Sequence, residues 1–344
     1  MRLRWWLLLV LIMVLLGVRL ALPGIIRAQV NERLGHMPAY SGSVADIDVA
    51  LWRGAYVLKD LSLVKRGAQI PVAFVTVPRM EVALDWSQFW RGRRVAVVTL
   101  EGAQISFVDS PQPTGVQTGA GVSWRRSLDE LAPLAIGTLR IERGRLSFRN
   151  FGSNPPVDLQ TTHVQAVLQP LDGDSAQIAL TGSGPGAAHL EANGSIDPRG
   201  QPGRLDLKLQ IRGLELARVN ALMLAYYDVD FSSGSGDVTL KVDVHDGRLR
   251  GYAEPRFHDL KMLGGHRDPS KQRDNPFHVL REAIAGALVH LFEKSNDQFS
   301  AHIDIHAALD SRESDALAQM LQALCEAAIG AFRPQLTDIH RTAE

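Results

Sequence analysis

The sequence predicts a mainly β protein with an N-terminal transmembrane helix, an antiparallel sheet built from stacked hairpins, and a C-terminal α/β end. Three observations predict this fold class. The chain begins with a long apolar run, and its middle alternates apolar and polar residues as strands do. Near its end, apolar residues recur at helical spacing instead.

The run from Trp5 to Leu22 has the composition of a membrane anchor, because Arg19 is its only charged residue. A helix over these residues spans roughly 27 Å, which is close to the hydrocarbon thickness of a bilayer. Trp5 and Trp6 stand where an interfacial aromatic belt is expected. A cleaved signal peptide is the alternative, but no convincing small-residue cleavage site follows the run. We therefore expect residues 1–22 to form an uncleaved anchor.

Strands with one apolar face follow the anchor. Alternation recurs in segments that begin at Ile47, Met80, Ile105, Leu205 and Val238. Such strands bury one face and expose the other, which is typical of antiparallel sheets. Arg53-Gly54 and Asn193-Gly194 have the composition of the hairpin turns that would join them.

A weak internal repeat accompanies the strands. The segment Glu101–Phe107 (EGAQISF) resembles Glu142–Phe148 (ERGRLSF), and DGRLRG at residues 246–251 is a third, looser copy. Each copy is interpreted as a turn followed by a strand. Chance similarity is the alternative, but three copies favour stacked hairpins that extend the sheet in one direction.

Helical spacing returns near the C-terminus. Asn275 is a suitable N-cap before Pro276, and a stripe of apolar residues follows from Phe277 to Leu291. A strand is predicted over Phe299 to Leu309. A second amphipathic helix then runs from Leu317 to Phe332. A shorter helix is predicted between Leu214 and Tyr227.

These patterns divide the chain into five segments. The anchor at 1–22 precedes an N-terminal β segment at 23–110, a loop at 111–127, a β-groove segment at 128–265, and a helix–strand–helix end at 266–344.

Composition excludes some classes of function. Lysine plus arginine number 37 and aspartate plus glutamate number 37, so the chain lacks the positive surplus of a general nucleic-acid binder. Aromatic residues make up only 6%, which disfavours a stacking platform for single strands. Cys325 is the single cysteine, so neither an intrachain disulfide nor a multi-cysteine metal site can form.

Candidate catalytic or metal-binding residues are few. His302, Asp304 and His306 share one strand face and could hold a metal, but a solvated polar face explains them better. Carboxylate pairs at Asp46 with Asp48 and at Asp228 with Asp230 could serve acid–base chemistry, or simply lie on solvated strand edges. We therefore predict no enzymatic activity, no metal and no cofactor.

The order of several segments carries a family resemblance. They are Leu22-Pro23 after the anchor, Tyr40 to Asp48, Leu58 to Leu63, Met80 to Trp86, Gly213 to Leu216, Asp246 to Tyr252, and Ala327 to Pro334. In this order they resemble the AsmA-like superfamily of bacterial envelope proteins, and most of all its DUF748 branch. The resemblance implies an inner-membrane anchor, a periplasmic body, a likeness to bridge-like lipid-transfer proteins, and no catalytic motif.

The resemblance and the alternation together imply a curled antiparallel β-groove whose apolar trough takes lipid acyl chains. The residues expected to line it lie on the apolar faces of the two most regular strands: Leu205, Leu207, Leu209, Val238, Leu240 and Val242. The implied partners are membrane lipids, the inner membrane through the anchor, and envelope proteins that the sequence does not identify. Nucleic acid is not among them.

Two alternatives to the lipid groove remain open. The apolar faces could close into a β-sandwich core, which would make the protein a membrane-tethered structural scaffold. A hydrolase could also assemble its site from distant residues, and a pocket that unites His302 and His306 with a remote carboxylate would support that alternative.

Overall fold

The computed structural model describes residues 6, 13, 23–37, 39–50, 53–91, 95–110, 112–119, 135–171, 175–197, 204–227, 229–245, 248–264 and 298–308 of the chain. Of these residues, 65% lie in strands and 17% in helices. The prediction of a mainly β protein is therefore confirmed.

Fifteen strands form the described body of the protein. They are β1 (Tyr40–Ser43), β2 (Asp46–Ala50), β3 (Ala55–Lys65), β4 (Val75–Leu84), β5 (Val95–Glu101), β6 (Gln104–Asp109), β7 (Ala135–Asn150), β8 (Val157–Pro170), β9 (Ala176–Ser183), β10 (His189–Asp197), β11 (Arg204–Glu215), β12 (Asp230–His245), β13 (Arg248–Gly264), β14 (Gln298–Ser300) and β15 (Ile303–Ala308).

Three α-helices accompany these strands in the described ranges. They are α1 (23–35), α2 (Trp86–Phe89) and α3 (Asn220–Tyr227). Sequence analysis did not predict α1, although Pro23 and the four-residue spacing of Ile26, Val30 and Leu34 indicate a helix with one apolar stripe. These three side chains pack against the main apolar core.

All fifteen strands belong to one sheet, whose main path is β1-β3-β4-β5-β7-β8-β9-β10-β11-β12-β13-β14. From β7 to β13 each strand pairs antiparallel with the next strand in sequence. This part of the sheet has the predicted form of hairpins stacked in one direction.

The prediction of a wholly antiparallel sheet is wrong at one position, because β7 runs parallel to both β5 and β6. The sheet is therefore mixed. A tight turn forces antiparallel pairing, whereas a long connection can return the chain to the same end of the sheet. Residues 110–134, which join β6 to β7, are long enough to do so.

The internal repeat acquires a different structural meaning from the predicted one. Its first two copies are not successive hairpins but neighbouring parallel strands in register, with Glu101 opposite Glu142 and Phe107 opposite Phe148. Both copies also bend at the same place, where Gly102 has φ +68° and Arg143 has φ +53°. Neighbouring parallel strands in register have similar surroundings along their length, which is consistent with their similar sequences.

A line of β-bulges crosses the second half of the sheet. Positive φ angles occur at Arg143 and His163 on the neighbouring strands β7 and β8, and at Gly213, Gly234 and Asp259 on the neighbouring strands β11, β12 and β13. The strand registers shift at the same places. Between these two groups β9 ends and β10 begins. Each extra residue bends its strand and reverses the alternation beyond it. A strand that places its odd-numbered residues on one face before the bulge line therefore places its even-numbered residues there beyond it.

The bulge line divides the apolar residues of β11 and β12 between two clusters. Leu205, Val242 and Val244 belong to the main core, which extends from α1 through β2–β5 to Ile305 of β15. Beyond the bulges, Leu214 and Phe231 belong to a second cluster against which Met223 and Tyr227 of α3 pack.

Strand pairing extends further than expected at two places. The helix predicted between Leu214 and Tyr227 is present as α3, which begins only at Asn220 because β11 continues to Glu215 and a 3-10 turn over Leu216–Val219 follows. Asn193-Gly194 forms no hairpin turn but lies inside β10, where Gly194 is paired on both sides. Pairing with two neighbours outweighs the local turn preference of this dipeptide.

The predicted C-terminal strand is present in two pieces, β14 and β15, which both pair with β13. The two helices predicted around it, at Phe277–Leu291 and Leu317–Phe332, lie outside the described residues. Trp5, Leu22 and most of the predicted anchor also lie outside the described residues. Within the anchor only Trp6 and Met13 are described, and both are helical and exposed. Within the described parts of the chain, no helix has both the length and the apolarity needed to cross a membrane.

Candidate functional site

The structure brings the six predicted groove residues together on one face of two paired strands. Leu207 lies opposite Val242, and Leu209 lies opposite Leu240. Leu205 and Val238 lie on the same face, two residues from Leu207 and Leu240 along their strands. Leu205 is opposite Val244, and Val238 is opposite Ile211. The face that alternation predicted for β11 and β12 is therefore a continuous apolar surface.

This apolar surface continues across twelve strands as two rows of paired residues. The first row is Ile47, Leu58, Met80, Leu100, Ile141, Ala166, Leu180, Ala192, Leu209, Leu240, Ala253 and Ile303. The second is Val49, Tyr56, Val82, Val98, Leu139, Leu168, Ile178, Gly194, Leu207, Val242, Gly251 and Ile305. At about 4.8 Å between strands, each row is roughly 53 Å long.

Burial changes along these two rows. At the N-terminal end, Leu58 is 0% exposed and Met80 2%, and at the other end Ile305 is 3% exposed. Between them, large side chains on β7, β9, β11 and β12 are only half-buried: Leu139, Ile141, Ile178, Leu180, Leu207, Leu209 and Leu240. Leu168, Ala192 and Val242, also on the central strands, are at most 7% exposed, whereas Val49 and Tyr56 at the N-terminal end of the second row are half-buried. Half-buried large side chains are therefore most numerous in the middle of the rows, where they alternate with buried ones.

The opposite face of the same strands is polar. Lys208 pairs with Lys241, and Asp206 pairs with Asp243. Lys241 Nζ lies 3.5 Å from Asp206 Oδ2 in an ion pair that is largely exposed. The two faces thus differ sharply in chemistry, as the alternation of strand side chains requires.

Two of the residues weighed as a metal or hydrolase site, His302 and Asp304, form an exposed polar group on the outer face, while the side chain of His306 lies outside the described part of the structure. His302 Nδ1 lies 3.0 Å from Glu254 Oε1, its Nε2 lies 3.5 Å from Asp304 Oδ1, and its ring stacks on Tyr252 with centroids 4.9 Å apart. The His302 side chain is 55% exposed and that of Asp304 72%. No group of three potential ligands suited to a metal ion occurs among the residues that the structure describes.

An open cavity of about 560 Å³ lies nearby but does not include this histidine. Its walls come from β12, β13 and β14, with Phe257 and Phe299 as the aromatic members. These two residues are directly paired across β13 and β14. The described cavity therefore does not unite His302 with a remote carboxylate.

The carboxylate pair Asp46 and Asp48 shares one cationic partner, Lys59, that sequence analysis did not consider. Lys59 Nζ lies 3.1 Å from Asp46 Oδ2 and 2.5 Å from Asp48 Oδ2. The hydrogen bond from Lys59 is the main cause that lowers the pKa of Asp46, and hydrogen bonds to Asp48 and Asp46 raise the pKa of Lys59. This arrangement is an exposed ion-pair cluster on paired strands. Of the second predicted pair, Asp228 lies outside the described residues.

A buried polar network that sequence analysis missed joins α3 to the ends of β6 and β7. Tyr226 Oη donates to Asp109 Oδ2 at 2.6 Å, and Asn150 Nδ2 donates to Tyr226 Oη at 2.8 Å and to Asp109 Oδ2 at 3.2 Å. All three residues are at most 8% exposed. Burial is the main cause that raises the pKa of Tyr226. The network lies at the end of the sheet where α3 contacts the second apolar cluster.

No protein-family model matches the chain, and comparison with curated proteins finds no similar protein.

Proposed function

We propose that this protein is a membrane-anchored, AsmA-like protein of the bacterial envelope whose apolar sheet face binds lipid acyl chains. In this proposal the anchor at 1–22 lies in the inner membrane, the sheet faces the periplasm, and the protein is not an enzyme. Its role is lipid handling, lipid transport or envelope assembly.

One observation carries the proposal: seven large apolar side chains on the central strands of the rows are only half-buried. In a closed sandwich core, side chains at the centre of the apolar face are the most buried. Here Leu58 and Ile305 near the two ends are almost fully buried, whereas Leu209 and Leu240 near the centre are half-buried. Half-buried large apolar side chains at the centre of the face favour a trough over a filled core.

The energetics of such a trough suit movement of lipid. An acyl chain gains about 0.8 kcal/mol per methylene that it buries on the protein, and loses a similar amount on leaving the bilayer. The net free energy of transfer is therefore near zero. Apart from Tyr56, the rows offer only apolar side chains to an acyl chain, so binding would not depend on the identity of that chain.

The scaffold alternative is favoured by one observation, the burial of two of the predicted groove residues. Val242 is 4% exposed and Leu205 5%, which are values typical of a packed core. The two functions differ in what touches Leu240, because a scaffold would place protein against it and a trough would place lipid.

Photocrosslinking tests the proposal. A photoreactive residue at position 240 of the full chain, reconstituted in phospholipid vesicles, is expected to form lipid adducts. The same residue at position 241 faces the polar side and is expected to form few. Equal labelling at the two positions, or no lipid adduct at 240, would contradict the trough.

A charge substitution provides a second measurement. Leu240→Asp places a carboxylate among acyl chains, so the folded variant is expected to lose most of the phospholipid that co-purifies with the protein. Lys241→Asp disrupts only an exposed ion pair and is expected to retain the lipid. If Leu240→Asp fails to fold, the crosslinking comparison alone decides between trough and scaffold. Its two probes stand at neighbouring positions of β12, so they differ only in the face of the sheet that they label.

A further inference from the structure

An exposed aromatic cluster lies at one end of the sheet, outside the apolar rows. Trp86 is 44% exposed, Phe89 38% and Trp90 79%. The rings contact one another, with centroids 5.5 Å apart for Trp86 and Phe89 and 5.8 Å for Phe89 and Trp90. Large exposed apolar groups in mutual contact mark interaction surfaces rather than ordinary solvent-facing positions. We call these three residues the aromatic tip.

The aromatic tip is held firmly on the sheet. Asp85 caps α2 by accepting hydrogen bonds from the backbone N–H groups of Ser87 and Gln88. Trp86 Nε1 donates to the carbonyl oxygen of Arg53, in the turn between β2 and β3, at 3.1 Å. The rings are thus presented by a short helix fixed to a hairpin, with Trp90 outermost.

The contacts of α1 show which end of the sheet this is. Asn31 exchanges two hydrogen bonds with the backbone of Val44, at 2.6 and 3.0 Å. About one turn later in α1, Leu34 lies beside Gly42, where an added Cβ would be 2.9 Å from Leu34 Cβ. Towards its N-terminus α1 therefore advances from Gly42 to Val44, in the direction of β2 and of the β2–β3 turn that holds Trp86.

The apolar run from Trp5 to Leu22 directly precedes α1 in the sequence. The chain thus enters α1 from this run at the end of the sheet that bears the aromatic tip. In the orientation required by the proposed function, this end faces the membrane. Exposed Arg91 follows the cluster directly and provides a charge that attracts anionic head groups.

We infer that the aromatic tip, Trp86, Phe89 and Trp90, inserts into the interfacial layer of the membrane that holds the anchor, with Arg91 against anionic lipid head groups. Tryptophan is suited to this layer, because its ring is apolar while its N–H remains polar. The inference rests on the anchored orientation in the proposed function. A second contact of this kind would fix the tilt of the sheet relative to the bilayer, which a single anchor cannot do.

The chain offers a matched control for this surface. Phe151 is also an exposed aromatic residue, 48% exposed, and it follows the last residue of β7. The first residue of β7 pairs with Val95, whose carbonyl accepts a hydrogen bond from Asp85 N beside α2. The 16 residues of β7, roughly 50 Å of strand, therefore separate Phe151 from the aromatic tip.

The test places photoreactive benzoylphenylalanine at position 90 or 151 of the full chain in vesicles of phosphatidylcholine and phosphatidylglycerol. We expect at least fivefold more lipid adduct at 90 than at 151. Equal yields, or adducts at 90 with protein instead of lipid, would overturn the inference. In the same vesicles Arg91→Gln should lower the yield at 90 about twofold, and an unchanged yield would overturn the assigned role of Arg91.

The outcome is separable from that of the groove experiment. Lipid adducts at 240 with none at 90 would reject the tip and leave the trough. Adducts at 90 with none at 240 would reject the trough and leave the membrane contact.

Discussion

Removing one hydroxyl from the buried Tyr226 network should measurably destabilise the protein. In Tyr226→Phe the ring remains, and with it the contact to Phe148 at a centroid distance of 6.2 Å. The variant loses the 2.6 Å hydrogen bond to Asp109 and the 2.8 Å hydrogen bond from Asn150. A hydrogen bond to a charged partner contributes about 1.5–3 kcal/mol, so we expect the free energy of unfolding to fall by about 2 kcal/mol.

Urea unfolding of the detergent-solubilised full chain, followed by far-ultraviolet circular dichroism, measures this loss. Tyr252→Phe is the control, because it removes the same atom from a tyrosine whose ring stacks on His302 at the sheet surface. The control should change the free energy of unfolding by less than about 0.5 kcal/mol. A loss below 0.5 kcal/mol in Tyr226→Phe, or an equal loss in both variants, would refute the argument that this network holds α3 on the sheet.

Two further predictions concern stability. Gly251→Ala should lower the free energy of unfolding by about 2 kcal/mol or more, because the new Cβ would lie 2.0 Å from the carbonyl oxygen of Lys241. In the control Gly35→Ala the new Cβ meets nothing within 4 Å, so the free energy of unfolding should change by less than about 1 kcal/mol. The midpoints of urea unfolding compare the two variants. Alkaline pH should destabilise the fold, because burial raises the pKa of Tyr40 from 10.0 to about 12. Its contribution is complete below pH 10 and declines as pH rises towards 12, since the unfolded chain then loses the proton first; Tyr40→Phe should show a smaller decline between these pH values.

Sequence patterns predicted the strands well where one face is apolar and the other polar. The alternation of Leu205 to Ile211 and of Val238 to Val244 identified β11, β12 and their shared apolar face. Such a pattern depends only on which side of a strand faces water, so it can be deduced without knowledge of the pairing. Pairing and direction are different, since the parallel contact of β7 with β5 depends on a connection of residues 110–134 that carries no periodic signal.

The missed features share a physical cause: they depend on residues distant in sequence. Asp109 and Tyr226 are 117 positions apart, and neither stands in a recognisable motif. The ion pairs of Lys59 likewise appear only when β2 and β3 are paired. The bulge line had a faint local signal in the loss of alternation after Ile211, but its alignment across five strands could be recognised only from the assembled sheet.

The length of the open stretch limits what the trough could hold. The half-buried side chains lie on strands between β7 and β12, and six neighbouring strands at about 4.8 Å spacing extend roughly 24 Å. One leaflet contributes about half of the 30 Å hydrocarbon thickness of a bilayer, or roughly 15 Å per acyl chain. In the proposed trough, the open stretch would therefore hold one acyl chain end to end but not two. Passage along the full rows would require the covered ends, near Leu58 and Ile305, to open in turn. The closed ends would then control the movement of lipid, while the half-buried centre would serve as the holding position.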